Sequence, residues 1–149
     1  MIIAVDSTNV RQAAEVHSLS WKESHRSFCS SEFIEMHSPQ RQEEYLRHKM
    51  ANGSKLYMLV EEQPVGIVSV TGSLIEDLYI LPDRQNMGLG TQLLRYAMDQ
   101  CEDDPTLWIL ENNENAMRLY RRTGFKPTGK RNSITNGIDE IEFSLVCSD

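Results

Sequence analysis

From Leu78 to Leu94 the sequence reads LYILPDRQNMGLGTQLL, which predicts an apolar strand, a polar turn and then an amphipathic helix. Two glycines, Gly88 and Gly90, stand where the turn enters the helix. Glycine adopts backbone dihedrals that a side chain forbids, so successive N–H groups at the helix start can point outward at one ligand. The positive end of the helix dipole lies at the same place. The segment therefore predicts a binding site for a pyrophosphate group.

Spacing separates the known phosphate-binding loops that join a strand to a helix. A P-loop needs four residues between its glycines and then Lys-Ser/Thr, whereas here the closely spaced glycines precede Thr91 and Gln92, which excludes that class. A dinucleotide-binding loop needs a third small residue where Leu93 stands, and it has no spacer between the strand and the first glycine. Glu111 lies about twenty residues on, where that loop has its ribose-binding acid, so a dinucleotide enzyme stays open as an alternative.

The turn resembles the Gln/Arg-x-x-Gly-x-Gly/Ala motif of the GNAT N-acetyltransferase superfamily, with Gln85 as its first residue. A second motif follows a predicted buried strand from Thr106 to Leu110. There the stretch ENNENAMRLYRRTGF fits the superfamily pattern Asn-x-x-Ala-x-x-x-Tyr-x-x-x-Gly-Phe, with Asn113, Ala116, Tyr120, Gly124 and Phe125. The two motifs have the usual order and separation. The likeness extends over roughly the last two thirds of the chain.

The resemblance implies an α/β GNAT fold in one domain over residues 1–149, with a mixed central sheet of about six to seven strands and about four flanking helices. It implies that the strand before the glycine turn and the strand before Asn113 are parallel neighbours that splay apart. The pantetheine arm of acetyl-CoA would lie in the gap. A bulge in the first strand would leave main-chain groups free to pair with the pantetheine amides.

The resemblance also implies which residues hold acetyl-CoA. The backbone of Leu78, Tyr79 and Ile80 would pair with the pantetheine arm, and the Ile80 N–H would stabilise the oxyanion of the tetrahedral intermediate. The turn and the helix start would hold the pyrophosphate, and two residues of the second motif would complete the site. These two groups comprise Gln85, Asn86, Met87, Gly88, Leu89, Gly90, Thr91, Asn113 and Ala116.

Tyr120 is the predicted proton donor to the departing thiolate, because the superfamily pattern points this phenol at the coenzyme sulfur. A free tyrosine has a pKa of ~10 and a thiol ~8.5, so complete proton transfer is uphill by about 2 kcal/mol. We therefore expect a hydrogen bond to the thiolate as its contribution. The alternatives are structural: Tyr120 as a core aromatic of an amphipathic helix, and Asn113 as the helix N-cap.

The general base is less well defined by the sequence. A lysine-like amine costs about 4.6 kcal/mol to deprotonate at neutral pH, whereas an α-amino group costs ~1 kcal/mol. In this superfamily a carboxylate near the start of the strand that leads to the glycine turn can accept the proton, often through water. Glu76 is our candidate and Asp77 its rival, with a solvated strand end as the alternative. Period-two alternation places the two on opposite faces, so at most one reaches the cleft.

The acceptor contacts are predicted from an early helix. Trp21, His25 and Phe28 form an i, i+4, i+7 stripe, and in related acetyltransferases this region closes over the acceptor. Such a stripe is more often a core-facing seam than a binding wall. The remaining histidines lack convergent ligand spacing, so we expect no metal site.

Composition narrows the class of protein. The net charge of −7 disfavours a nucleic-acid partner and favours a cationic amine. No apolar stretch approaches the ~20 residues of a membrane helix, and the stretch MIIAVDSTNV lacks the basic segment and long apolar run of a secretion signal, so we expect a cytoplasmic protein without a membrane partner. The three cysteines lack disulfide or zinc spacing.

Hydrophobic periodicity predicts the remaining elements. Strands are expected at Ile2–Val5, Leu56–Val60, Val65–Val70, Glu76–Leu81 and Ile138–Val146. Helices are expected from Val10 toward Trp21, and around Leu46 up to the stop signal Asn52-Gly53.

Together these features predict an N-acetyltransferase that moves the acetyl group of acetyl-CoA to a primary amine of a small molecule or a peptide N-terminus. The transfer would be direct, within a ternary complex. A non-catalytic acyl-CoA-binding sensor is the alternative from another class. A homodimer stays open as the oligomeric state.

Overall fold

The computed structural model describes residues 1–26, 29–135 and 137–145, which form seven strands and five α-helices. The strands are β1 (Ile2–Ala4), β2 (Lys55–Val60), β3 (Pro64–Thr71), β4 (Leu74–Ile80), β5 (Thr106–Leu110), β6 (Lys126–Thr135) and β7 (Ile138–Ser144). The helices are α1 (Val10–His25), α2 (Ser31–Glu35), α3 (Pro39–Ala51), α4 (Leu89–Asp99) and α5 (Glu114–Thr123). A short 3-10 turn, Pro82–Arg84, links β4 to α4. The strand number agrees with the expectation, and the described residues form one α-helix more than expected.

The strands form one sheet in the order β1-β2-β3-β4-β5-β7-β6. Every neighbouring pair is antiparallel except β4 and β5, which are parallel in the middle of the sheet. This confirms the predicted mixed sheet with a central parallel pair. It also brings the two sequence motifs side by side, because each motif directly follows one of these two strands.

The two central strands splay apart. They pair at Leu74–Thr106 and Ile75–Leu107, near the start of both strands, and separate beyond that point. On its other edge β4 carries a bulge, because Tyr79 opposes Ile67 but Glu76 opposes Ser69, so β4 has one extra residue. Asp77 lies in this bulge with φ of 55°, in the left-handed region. The predicted gap and bulge are both present.

Helices cover the sheet on two sides. Leu93, Leu94 and Ala97 of α4 pack with Leu107 and Phe143 in one apolar core. Residues of α1 and α3 form a second core on the opposite face of the sheet, against β2 and β3: Val10, Ala13, Ala14 and Leu46 with Leu56, Met58 and Ile67. The alternation of β2 follows from this arrangement, since its successive side chains enter different cores. The sheet is thus the wall between two helical layers.

Gly66 sets the distance between β3 and β4 near the end of the gap. A Cβ built on this glycine would meet Ile80 Cδ1 at 2.6 Å and the Tyr79 carbonyl oxygen at 3.3 Å. The lack of a side chain at position 66 therefore lets β4 approach β3 closely, while the other edge of β4 turns away from β5.

Candidate active site

A cleft of about 540 Å³ occupies the gap between β4 and β5. It runs through the sheet, since residues of both helical layers reach it. Many of the predicted site residues line it together: His25, Glu76, Leu78, Tyr79, Asn113, Ala116 and Tyr120, with Asp77 and Trp108. The glycine turn lies just beyond the end of β4.

The glycine turn has the geometry of an anion site. Gly88 is the N-cap of α4 with φ of 80°, a left-handed conformation that lets the chain turn into the helix. Within the described residues the first backbone hydrogen bond of α4 runs from Gln92 N to the Gly88 carbonyl, at 3.1 Å. The N–H groups of the first helical turn, those of Leu89, Gly90 and Thr91, therefore have no partner within α4 and point out from its positive end.

Gln85 has a different observed contact from the one predicted. Its Nε2 donates to the Ile80 carbonyl at 3.1 Å, so the side chain ties the turn to the end of β4. This contact explains the use of glutamine at the first position of the motif by a bond within the protein. Its predicted contact with the coenzyme stays a prediction.

The Ile80 N–H is oriented as the oxyanion prediction requires. Leu81 donates its N–H to the Val65 carbonyl at 2.9 Å, on the β3 side of the strand. Successive N–H groups of a strand point to opposite edges, so the Ile80 N–H points toward the gap with β5. Its role in stabilising an oxyanion stays a prediction.

The second motif combines structural and cleft-lining positions. Asn113 caps α5, because its Oδ1 accepts a hydrogen bond from Ala116 N at 3.2 Å. Tyr120 is 8% exposed and packs near Phe125, with ring centroids 6.0 Å apart, yet it also forms part of the cleft wall. Burial raises the pKa of Tyr120 above its usual range, so its phenol stays protonated at neutral pH. Asn113 and Tyr120 thus have the structural roles given above as alternatives, and both also line the cleft.

Asp77 is the centre of a buried polar cluster that the sequence analysis missed. Its carboxylate accepts from His17 Nε2 at 2.9 Å, Tyr45 OH at 3.1 Å, Lys49 Nζ at 2.7 Å and Ser69 Oγ at 3.0 Å. These donors come from α1, α3 and β3. A signal was present: Tyr45 and Lys49 are four residues apart and share the face of α3 that carries Leu46 toward the sheet.

The prediction that Glu76 and Asp77 lie on opposite faces of β4 is wrong. Lys49 Nζ binds both Asp77 and Glu76, the latter at 3.0 Å, so both carboxylates reach the same side of the sheet. The bulge is the physical reason, because the left-handed φ of Asp77 interrupts the period-two alternation of β4.

The two carboxylates differ in their surroundings. Burial alone would raise the pKa of Asp77, but the hydrogen bond and charge of His17 and the charge of Lys49 outweigh it and hold this pKa below its usual range. Asp77 is therefore a poor proton acceptor. Glu76 is 42% exposed at its side chain and has the single ion pair with Lys49.

The predicted acceptor stripe is only partly described. Trp21 is stacked between two histidine rings, with centroids 3.9 Å from His25 and 3.4 Å from His37. His25 lines the cleft, whereas Trp21, which stacks on the His25 ring, does not. Burial, with the nearby histidines, lowers the pKa of His25 despite its bond to the Trp21 carbonyl. Phe28 lies outside the described residues, and the acceptor role of the stripe stays a prediction.

The described residues offer neither a metal-binding group nor a membrane-spanning helix. Among them, no three metal-binding side chains come together in a group that would hold an ion. None of the helices they form has the length and apolarity needed to cross a bilayer.

Comparison with known proteins identifies the family. Residues 11–147 match the family model described as an acetyltransferase (GNAT) domain, so the chain belongs to the GNAT acetyltransferase family. The chain is 35% identical over 77 residues to the peptidyl-lysine N-acetyltransferase YjaB of Escherichia coli (strain K12). That match covers 50% of this chain and 52% of YjaB, so the chain spans about half the length of the curated relative it matches.

Solved structures show the same fold over the whole length. The PaiA N-acetyltransferase from Thermoplasma acidophilum, in complex with coenzyme A, superposes with a TM-score of 0.74 at 18% identity, covering 97% of this chain and 98% of that one. The solution structure of apo YjaB from Escherichia coli gives a TM-score of 0.72 at 24% identity, covering 99% and 98%. The GNAT fold predicted from the two motifs is confirmed.

Proposed function

We propose that this chain is an enzyme that transfers the acetyl group of acetyl-CoA to a primary amine, by direct attack in a ternary complex. A path of three features carries the proposal: the outward amides of α4, the edge of β4 that faces the gap beyond its bulge, and Tyr120 in the wall of the gap. The path has the order of pyrophosphate, pantetheine and thioester in an acyl-CoA. Similarity to YjaB, a peptidyl-lysine N-acetyltransferase, supports a peptidyl lysine as the amine.

Backbone groups do most of the coenzyme binding in this proposal. The amides of residues 86–91 bind the pyrophosphate, and Leu78, Tyr79 and Ile80 present main-chain groups to the pantetheine arm. Asn113 and Ala116 line the opposite wall. Because these contacts are main-chain or wall contacts, few side-chain substitutions remove them directly.

Two side chains act on protons in the proposed reaction, one as a hydrogen-bond donor and one as a proton acceptor. The phenol of Tyr120 donates a hydrogen bond to the thiolate as it leaves, since its raised pKa keeps it protonated. Glu76 accepts the proton of the amine, directly or through water. Asp77 is unsuited to that task because four donors already occupy its carboxylate.

Tyr120→Phe tests the enzyme proposal. We expect turnover with acetyl-CoA and a lysine peptide to fall at least tenfold, since a positioned proton donor contributes about 10²–10⁴ in rate. Coenzyme affinity should change by less than about twofold, because phenylalanine keeps the packing against Phe125. The measurement is steady-state release of free thiol, together with calorimetric titration of CoA.

Tyr96→Phe is the matched control, because Tyr96 is a half-buried tyrosine of α4 that packs against Tyr57 outside the cleft. It should keep wild-type turnover. Binding of CoA by the wild type without thiol release across a broad panel of amines would instead support the non-catalytic sensor.

A further inference from the structure

One face of β5 and β7 carries cleft residues that the proposed chemistry does not use. Along β5, Leu107 and Ile109 are buried in the core with α4, whereas Trp108 and Leu110 point to the other face and are partly exposed. Glu140 of β7 lies directly opposite Leu110 in the ladder. Directly opposed residues share a face, so Trp108 and Glu140 belong to the same side of the sheet.

That side is the one left open to the acceptor. The N-terminus of α4, where the pyrophosphate is proposed to bind, belongs to the layer on the opposite side of the sheet. A coenzyme that enters the gap from the α4 layer leaves its acyl group accessible from the other face. Glu76 reaches this same face, as its contact with Lys49 of α3 shows. The amine therefore approaches over Trp108 and Glu140.

The charge of the cleft favours a cation there. Four carboxylates line it, and among the described residues no lysine or arginine does: the acids are Glu76, Asp77, Glu114 and Glu140. Lys49 offsets the pair on β4, whereas Glu140 has a neutral hydrogen-bond partner, Asn132 Nδ2 at 3.3 Å. The charge of Glu140 is thus uncompensated by its observed partner. The indole of Trp108, diagonal to Glu140 on the same face of the ladder, offers a π face to an ammonium group and an apolar surface to an alkyl chain.

We propose that Trp108 and Glu140 determine acceptor specificity, and that they select an alkylammonium of the lysine side-chain type over a peptide α-amine. This inference rests on the proposed function. The Trp108 ring lies along the alkyl chain and the Glu140 carboxylate attracts the ammonium group. A lysine amine is almost fully charged at neutral pH, whereas an α-amine is only partly charged. The acidic side chains of the cleft therefore favour the lysine amine.

The experiment compares two acceptor peptides of the same sequence. One has a blocked N-terminus and a single lysine, and the other has a free N-terminus and norleucine in place of lysine. For Glu140→Gln and Trp108→Leu we expect the KM of the lysine peptide to rise about threefold to fivefold, in the range of a surface charge pair or a cation–π contact. The KM of acetyl-CoA should stay within about twofold, because neither side chain belongs to the α4 layer.

Glu142→Gln is the matched control. Glu142 is two residues along β7 on the same face, opposite Trp108, but it accepts from Thr128 Oγ1 at 2.8 Å and does not line the cleft. It should leave both KM values unchanged. Raising the salt concentration should increase the lysine-peptide KM of the wild type and have less effect on Glu140→Gln. This salt dependence still tests the proposal if Trp108→Leu fails to fold.

Three results would overturn the inference. They are a lysine-peptide KM that Glu140→Gln leaves unchanged, an equal rise in Glu142→Gln, or a wild type that prefers the free α-amine peptide. The last result would leave the proposed acetyltransferase function intact. Absence of acetyl transfer to either peptide would count against both the function and the inference.

Discussion

Glu76 and Asp77 are neighbours in the chain with different surroundings. Asp77 is bound by four donors and has a side chain only 10% exposed, so its charge is fixed in place. Glu76 shares one of those donors, Lys49, and keeps the rest of its carboxylate toward the cleft. A proton acceptor must be accessible and able to change its partners, which favours Glu76.

Glu76→Gln should lower kcat/KM for a lysine acceptor about tenfold or more at pH 7, because deprotonating the charged amine then lacks its acceptor group. The deficit should shrink to within about threefold near pH 10, since roughly a quarter of the amine, with pKa ~10.4, is then neutral by itself, against about one part in 2,500 at pH 7. The measurement is a pH profile of kcat/KM.

Glu43→Gln is the control for this profile, because Glu43 is also an ion-paired carboxylate, bound to Arg47 at 2.9 Å outside the cleft. It should follow the wild type at every pH. A deficit in Glu76→Gln that is equally large near pH 10 would mean that Glu76 acts other than by accepting the proton.

At the scale of elements, the Asp77 cluster joins four pieces of the fold at the bulge. His17 belongs to α1, Lys49 to α3 and Ser69 to β3, and all three bind a carboxylate on β4. The bulge places Asp77, a residue other than glycine, in the left-handed region, which costs free energy unless the surroundings hold it there. The cluster holds it, and so helps to keep the edge of β4 turned toward the cleft.

Asp77→Asn should destabilise the protein by about 3 kcal/mol at pH 7, because it removes the charge that the buried Lys49 requires. In the wild type the pKa of Asp77 is lower in the folded state than in the unfolded state. Its charge therefore contributes stability above the unfolded value of ~3.9, and that stability is lost as the pH falls below it. We expect the free energy of unfolding of the variant to depend less on pH than that of the wild type between about pH 5 and about pH 2, a range that brackets the unfolded pKa of ~3.9. The measurement is denaturant unfolding at each pH.

Asp139→Asn is the control, since Asp139 pairs with Arg131 at 3.1 Å on the surface and should cost less than about 1 kcal/mol. Equal pH dependence in Asp77→Asn and the wild type would contradict a lowered pKa at Asp77.

At the scale of the whole molecule, the sheet separates two tasks. The α4 and α5 layer supplies the proposed coenzyme contacts, and the face with Glu76, Trp108 and Glu140 is proposed to receive the acceptor. The gap between β4 and β5 connects them. The proposed direct transfer in a ternary complex fits this geometry, because each substrate would have its own route to the reacting carbon.

Coenzyme binding should stabilise the folded chain as a whole. At a hundred times its dissociation constant, CoA should add about 2.7 kcal/mol, seen as a rise in Tm, while NAD at equal concentration should add nothing measurable. Gly88→Ala should lower this rise, because a Cβ at φ of 80° strains the turn that presents the amides.

Gly53→Ala is the control for that comparison. Gly53 has φ of 97° and, like Gly88, open space around its missing Cβ, but it ends α3 far along the chain from the glycine turn. Its Tm should fall while its response to CoA stays that of the wild type. Stabilisation by NAD rather than CoA would support the dinucleotide enzyme instead.

The sequence predicted the elements whose apolar pattern is strong. Strand β5 was expected at Thr106–Leu110 and is found there. Two elements were not predicted, α2 and β6. β6 has Pro127 and Gly129 and few apolar residues, so its pairing with β7 rather than its own composition makes it a strand. α2 has five residues, too few to show helical periodicity.

The sequence by itself determined the family, the fold and the position of the glycine turn at the start of α4, because fixed spacings of Gly, Asn, Ala and Tyr encode local backbone geometry. Only the tertiary structure decided that Asp77 is held by α1 and α3 while Glu76 stays accessible, and that Trp108 and Glu140 share one wall of the cleft. The physical reason is distance along the chain. His17, Lys49 and Asp77 meet through packing of separate elements, which no local pattern records.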